Sequence, residues 1–438
     1  MTPVELSRTV LRAVRRAVDD GVLDVAVPER VKVTPPGPGG CGDYATNVAL
    51  QLARPAGQPP LQVAEILRTR LAASDGVRDV VVTGPGFLNI SLGDSAGVDL
   101  VARILRRGPR YGFVEQACGE VVHLHAAREV RAVVVMDAVG RLLRSQGVDV
   151  RTSCEGGSPA GEWVTVLGVP SCGVGEGAPS GVSSSCAHVI QPVPAPVSPL
   201  HLGRDAARWA LLHPAAHDRP RISDEHLVQR EGNPVFRVRY AHARIRAVSR
   251  NAADLGFRAE PGAVEPNAVE PGAVEPNAVE PGVVERSAVE SDGGPARPGG
   301  IPTPPTGTPP TGTPPGPTGT PPGPPDTPTH PGVPTPGAQP HSAPGSRDRT
   351  ATPHPLLHLL ADHPRVLAQA AAHRAPDRLA RHLVSVADAV LPLLPAVLPR
   401  GAEKPSATHR ARLALAEAAG AVLAGGLSLL GIDAPEHL

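Results

Sequence analysis

Glu260, Glu265, Glu270, Glu275, Glu280, Glu285 and Glu290 recur every five residues, in units of the type AVEPG and AVEPN. A period of five matches neither helix nor strand, and a proline in nearly every unit forbids both. The Pro302–Pro340 tract of Pro, Thr and Gly that follows is expected to be extended and partly polyproline II. Ala259–Thr350 is therefore read as a disordered insert that interrupts whatever the remaining residues build. A passive linker and a ligand for a proline-motif reader are both compatible with it. An acidic repeat of this kind also has the charge to mimic phosphate on a basic face of the same chain.

Just before the insert lies the best-marked helix, Asn233–Phe257 (NPVFRVRYAHARIRAVSRNAADLGF). Asn233 before Pro234 is a helix start, and Gly256 is the matching stop. Val238, Ala241, Ile245, Val248, Ala252 and Leu255 form one apolar stripe. Arg239, Arg246 and Arg250 lie opposite, His242 flanks the stripe, and Tyr240 and Arg244 lie round the other side. Such a face is either simply solvated or positioned to meet phosphate.

Lys+Arg and Asp+Glu are both 42 in a chain of 438 residues, a length that suggests two to four domains. The insert holds ten acidic and four basic residues, so the remainder is mildly basic, 38 against 32. Neutrality overall argues against a diffuse nucleic-acid sponge. Cys41, Cys118, Cys154, Cys172 and Cys186 show no CxxC pair and no His/Cys ligand spacing, so no zinc site is expected. Unpaired cysteines without a leader-like segment or an apolar run of 18 residues suggest a cytoplasmic protein with no membrane partner.

At the N-terminal end, Thr2–Pro3–Val4–Glu5 is a capping box that opens a helix with Leu6, Val10, Val14 and Ala17 on one face. Val31–Thr34 is expected as a strand, Ala45–Leu52 as a helix, and Pro59–Leu71 as another. Val77–Thr83 and Phe87–Leu92 read as strands joined by Gly84–Pro85–Gly86. This is a small α/β domain. Val98–Arg107 is a linking helix. Val121–Val150 reads as strand, helix over Ala127–Gln146, then strand. Beyond it, Gly156–Pro159, Gly173–Ser185 and Gln191–Pro199 have a composition that cannot bury a core. After the insert, helices are expected at Pro355–Leu360, Pro364–Ala372, Pro376–Leu394 and Ser406–Leu430, with Leu379, Leu383, Val386 and Val390 as a seam.

Several phrases resemble one family. YAHARIRAVSRNAADLG resembles the opening helix of the anticodon-binding domain of arginyl-tRNA synthetases, and the closing Leu427–Leu438 looks like that domain's end. GDYATNVALQLA (Gly42–Ala53) and GPGFLNISL (Gly84–Leu92) look like the family's N-terminal additional domain, which touches the outer corner of tRNA. Tyr44, Asn47, Phe87 and Asn89 are its matching positions. Aromatic and amide side chains suit unpaired bases, although Tyr44 and Phe87 are equally at home in a core, the reading favoured for Phe87. VVHLHAAREVRAVVVMDAVGRLLRSQG looks like a worn first ATP signature, with His123 and His125 two apart where the family has them three apart around a glycine. The second signature needs lysines, and none lies between Lys32 and Lys404.

The resemblance implies a multidomain α+β protein in five parts. These are an N-terminal-like α/β domain at 1–95, a degenerate Rossmann-like remnant with linker at 118–200, and connecting helices with the first part of the all-α anticodon-binding (DALR) bundle at 201–258. The disordered insert at 259–350 and the rest of the bundle at 351–438 complete it. It implies a tRNA-binding protein, with arginine tRNA as first partner and no DNA partner, that lacks aminoacylation activity. No catalytic residue is assigned. His123 and His125 are the only nucleotide-signature remnant. The cofactor expectation is none, or ATP under the alternative of an active arginine–tRNA ligase. A scaffold that binds a synthetase or another translation protein is the third reading. The tRNA-contact set is Tyr44, Asn47, Phe87, Asn89, Arg239, Tyr240, His242, Arg244, Arg246 and Arg250.

Overall fold

The computed structural model describes residues 1–37, 40–93, 95–170, 187–264 and 354–437. Helix α1 (Pro3–Asp19) starts as its capping box dictates. Thr2 Oγ1 accepts from the Glu5 amide at 3.3 Å, and Glu5 accepts from the Thr2 amide at 2.7 Å. Its buried face, with Leu6, Val10, Val14 and Ala17, closes over α2 (Val48–Ala53) and α3 (Pro60–Ala72). Strands β1 (Tyr44–Thr46), β2 (Val77–Thr83) and β3 (Phe87–Leu92) form an antiparallel sheet in the order β1-β3-β2. Gly84 and Gly86, at φ of 53° and 134°, make the β2–β3 turn that a side chain would strain.

Two local expectations change here. Val31–Thr34 is not a strand: Thr34 alone forms a bridge, to Ala45, because β1 is only three residues long. Ala45 and Thr46, expected to open a helix, instead join Tyr44 in pairing with Ile90, Asn89 and Leu88, and α2 begins at Val48. Pairing with a distant strand overrides the local preference.

The second body begins after α4 (Ser95–Arg107). Strands β4 (Val121–Ala126), β5 (Asp149–Cys154) and β6 (Ala187–Ile190) form a parallel sheet in the order β5-β4-β6. Helix α5 (Val130–Ser145) crosses from β4 to β5, starting three residues later than the sequence suggests. Helix α6 (Gly161–Leu167) and β6 lie between the stretches Gly156–Pro159, Gly173–Ser185 and Gln191–Pro199 whose composition cannot bury a core. Helix α7 (Gly203–Leu212) then leads to α8 (Pro234–Asp254).

Helices α9 (Pro355–Ala372), α10 (Pro376–Val390) and α11 (Ala407–Leu430) complete the bundle around α8. The break expected before Pro364 is absent: α9 runs through it, because Leu360 and Leu367 on either side are buried in the same core. The α10 seam is buried throughout, and Gly431 closes α11 in the left-handed conformation at φ of 71°. The parallel sheet and the bundle share one continuous apolar core, whereas the N-terminal domain has its own. Pro376–Ala396 and Ala407–Leu430 are long and apolar enough to cross a membrane by composition. However, 78% of the second helix's apolar window is buried inside the protein.

The insert is described only at its start. Glu260 pairs with Arg410 of α11 at 2.6 Å, and its amide donates to the Arg410 carbonyl at 3.2 Å. Residues 259–264 therefore lie against the bundle, a departure from the expected boundary. The repeat from Glu265 onward and the proline tract lie outside the described residues.

Candidate nucleic-acid interface

Helix α8 presents its arginines as the periodicity predicts, but not to open solvent. Arg239 pairs with Asp205 of α7 at 3.2 Å, and Arg246 with Glu436 at 3.1 Å. Arg250 donates to the Glu436 carbonyl at 3.4 Å and lies 3.3 Å from His437 Nδ1. His242 is buried, with Nδ1 2.9 Å from the Pro435 carbonyl, and burial lowers its pKa. Residues 433–437 thus run as a strap along this face. Helical periodicity sorts residues onto faces, but it cannot show a distant segment folding back over one.

The start and end of α8 also depart from expectation. Asn233 holds the cap position without capping: its side-chain Nδ2 donates to the His226 and Val228 carbonyls, each at 2.9 Å. Leu255, placed on the seam, is 53% exposed, and Phe257 is buried in its stead. Tyr240 and Arg244 lie outside the strap and are exposed, with the Tyr240 ring stacked on Phe236 at 5.5 Å.

The four N-terminal positions do not act together. Tyr44 is buried, its ring edge-on to His358 of α9 at 5.4 Å, and burial pushes its phenol pKa up. Asn89 is 2% exposed and donates to Thr83 Oγ1 at 2.6 Å and to the Val81 carbonyl at 3.4 Å. Both side chains are buried. Phe87 is the reverse case: the core reading favoured for it fails, and the ring is 41% exposed at the β2–β3 hairpin. Asn47 is half-buried at the start of α2, and its Oδ1 accepts from Gln51 at 3.2 Å.

On the parallel sheet, His123 and His125 project from the same side of β4 and share one partner. His123 Nε2 and His125 Nδ1 each lie 2.9 Å from Ser153 Oγ on β5. That side also carries Val121 and Val189, both exposed. The N-terminus of α5, where amides would be free for an anion, holds the chain's own carboxylate. Glu129 accepts from the Ala132 amide at 2.8 Å and from the Ala195 amide at 3.2 Å. The Glu129 side chain thus takes up an amide at this helix start that an anion would otherwise use.

Two buried arginines escaped the sequence reading. Arg131 donates only to backbone carbonyls, those of Leu211, Val193, Asp218, Pro214 and Ala215. Arg208 donates to the Leu430 carbonyl at 2.7 Å, the Leu167 carbonyl at 3.0 Å and Asp137 Oδ2 at 2.5 Å. The one signal available was an arginine set inside an apolar helical run, as in VRAVVV.

Two regions match described families. Residues 5–92 match the arginyl tRNA synthetase N terminal domain, and residues 341–438 match the DALR anticodon binding domain. Both matches are to domains of the aminoacyl-tRNA synthetase class, and at both ends the chain is similar to arginyl-tRNA synthetases. Similar curated proteins include the arginine–tRNA ligase of Renibacterium salmoninarum, 43% identical over 164 residues, and that of Frankia alni, 39% identical over 160. The matched stretch is 34% of this chain and spans only 30% and 29% of those ligases. The fold is similar to that of the Thermus thermophilus arginyl-tRNA synthetase, with a TM-score of 0.56 at 14% identity over the whole of both chains.

Proposed function

We propose that this chain binds tRNA through its two synthetase-type modules and does not aminoacylate it. The observation that carries this reading is the presence of both modules around a sheet fragment whose α5 N-terminus is closed by Glu129. Further support comes from the chain itself: His123 and His125 are engaged with Ser153, and no lysine lies between Lys32 and Lys404 to hold ATP phosphates. On α8, Arg246 and Arg250 at the strap, with Tyr240 and Arg244 beyond it, supply phosphate contacts and a stacking ring. Phe87 supplies a second ring on the N-terminal domain. Phosphate contacts then dominate affinity and make it fall with salt. The cytoplasm is the place of work such a partner implies, and arginine tRNA is the first partner to test.

Filter binding of total cellular tRNA at two salt concentrations, with sequencing of what is retained, tests the reading. Enrichment of arginine isoacceptors supports surviving recognition, and salt-sensitive retention of many species supports a general tRNA binder. No retention at low salt refutes both and leaves a protein scaffold. The names of the matched relatives favour a second reading, an active arginine–tRNA ligase. Arginine-dependent ATP–pyrophosphate exchange decides it: any exchange above background overturns the non-catalytic reading.

A further inference from the structure

Helix α1 carries Arg8, Arg12, Arg15 and Arg16, all exposed, on the side away from its buried face. Among the described residues, Arg8, Arg15 and Arg16 have no hydrogen-bond or ion-pair partner, and Arg12 reaches only Thr9 Oγ1 at 3.0 Å. The nearby carboxylates leave the stripe positive. Glu5, three residues before Arg8, is committed to the Thr2 amide and to Arg103 of α4 at 2.5 Å. Asp20 is committed to Arg70 at 2.8 Å. Asp19, one turn beyond Arg15, is the remaining acid on the helix. Opposite charges at i,i+4 occur only at the end of the helix, as Arg15/Asp19 and Arg16/Asp20, whereas Arg8 and Arg12 follow one another with the same sign.

Beside the stripe, a cleft of about 390 Å³ lies between α1 and α4, lined by Arg12, Arg16 and Arg103 and, in equal number, by Glu5, Asp75 and Asp99. Arg8 to Arg15 spans about 10 Å of helix. Over that length one strand of a duplex presents about three phosphates. Guanidinium is also the cation whose fork matches phosphate oxygens two at a time.

We propose that the Arg8/Arg12/Arg15 stripe of α1 is a docking surface for the RNA phosphate backbone, separate from Phe87 and from the arginines of α8. It rests on the tRNA-binding reading above and adds a second electrostatic footprint to it. Being spaced for backbone and holding no aromatic side chain, it contributes affinity and not base choice.

The test compares the full chain with R8E/R12E/R15E and with R8K/R12K/R15K, measuring Kd for total tRNA across a salt series. The charge-reversed variant is expected to lose about tenfold or more in affinity at low salt, and its log–log salt slope to shrink by about two to three. The lysine variant keeps the slope. Because these side chains have no partner beyond Thr9, circular dichroism should match the parent; should it not, R8Q/R12Q/R15Q replaces the reversal. If the parent binds tRNA and the neutralised or reversed stripe leaves Kd and slope unchanged, the proposal is overturned while tRNA binding stands. If the parent retains no tRNA, both fall. Unchanged tRNA affinity together with lost binding of polyglutamate would assign the stripe to an acidic protein partner, which also overturns it.

Discussion

The Arg208 guanidinium meets the Asp137 carboxylate at 2.5 Å inside the protein, where α5 of the sheet fragment, α7 and the end of α11 converge. Burial pulls the Arg208 pKa down and Asp137 pushes it back up. The Leu430 carbonyl it also holds lies one residue before Gly431, whose added Cβ would run into the Arg208 guanidinium. Removing Asp137 leaves a buried cation without its counter-charge. Asp137→Ala is therefore expected to cost about 3–5 kcal/mol in urea unfolding, and the joint Asp137→Leu/Arg208→Met change far less than the two singles combined. A midpoint for Asp137→Ala within the range of an ordinary surface substitution would mean that the pair does not join the two parts.

His363 and His382 are buried and stacked at 5.2 Å, with Tyr111 stacked on His363 at 6.0 Å. Burial lowers both histidines, His363 further through its neighbour His382, and His382 falls to about 4, with Asp362 opposing the shift and Arg365 adding to it. A histidine lowered by folding is neutral in the folded state and takes up its proton more readily when unfolded. Its contribution is thus complete above about 6.5, the ordinary value, and is lost as pH falls toward 4. For His382 alone the loss approaches about 3 kcal/mol. The urea midpoint should fall between pH 7 and pH 5 in the parent, and His382→Phe should flatten that fall. Equal slopes in the two proteins would place the acid sensitivity elsewhere.

These two clusters also mark where the sequence stops being legible. Elements that announce themselves locally came through: the Thr2–Glu5 box, the 77–83 and 87–92 strands around Gly84 and Gly86, and the α10 seam all sit where their periodicity puts them. What failed depends on partners far away in the chain. β1 exists because Leu88–Ile90 pairs with it, and Pro364 is carried inside α9 by buried neighbours on both sides. Arg131 needs carbonyls from residues 193–218, which no window around it contains. At the candidate interface the arginine spacing on α8 was readable, but the 433–437 strap was not, because nothing in the helix specifies what lies on it.

Phe87 and Asn89, two residues apart on β3, should separate binding from folding. Asn89→Ala removes a buried donor to Thr83 and Val81 and is expected to destabilise by about 1–3 kcal/mol, with tRNA affinity per folded molecule unchanged. Phe87→Ala removes an exposed ring, so stability should hold while tRNA affinity drops about tenfold if the ring stacks on a base. Thermal unfolding and filter binding on both variants give four numbers. The opposite pattern, with Phe87→Ala unstable and Asn89→Ala weak in binding, would return the ring to the core and the amide to the interface.

The strap gives the last prediction. Arg246 and Glu436 are both largely exposed, so their pairing is worth little to stability, about 0–1 kcal/mol. For a phosphate it matters more, because Glu436 repels the same anion that Arg246 and Arg250 attract. Arg246→Glu is expected to weaken binding of every tRNA alike, since phosphate contacts carry no sequence information. Glu436→Gln should act in the other direction, tightening binding about twofold to fivefold at low salt, with the gain fading as salt rises. Neither change should alter the free energy of unfolding by more than about 1 kcal/mol. If Arg246→Glu leaves tRNA affinity unchanged, this face of α8 is not the contact surface. In that case the exposed pair Tyr240 and Arg244, on the far side of the strap, is the next place on α8 to mutate.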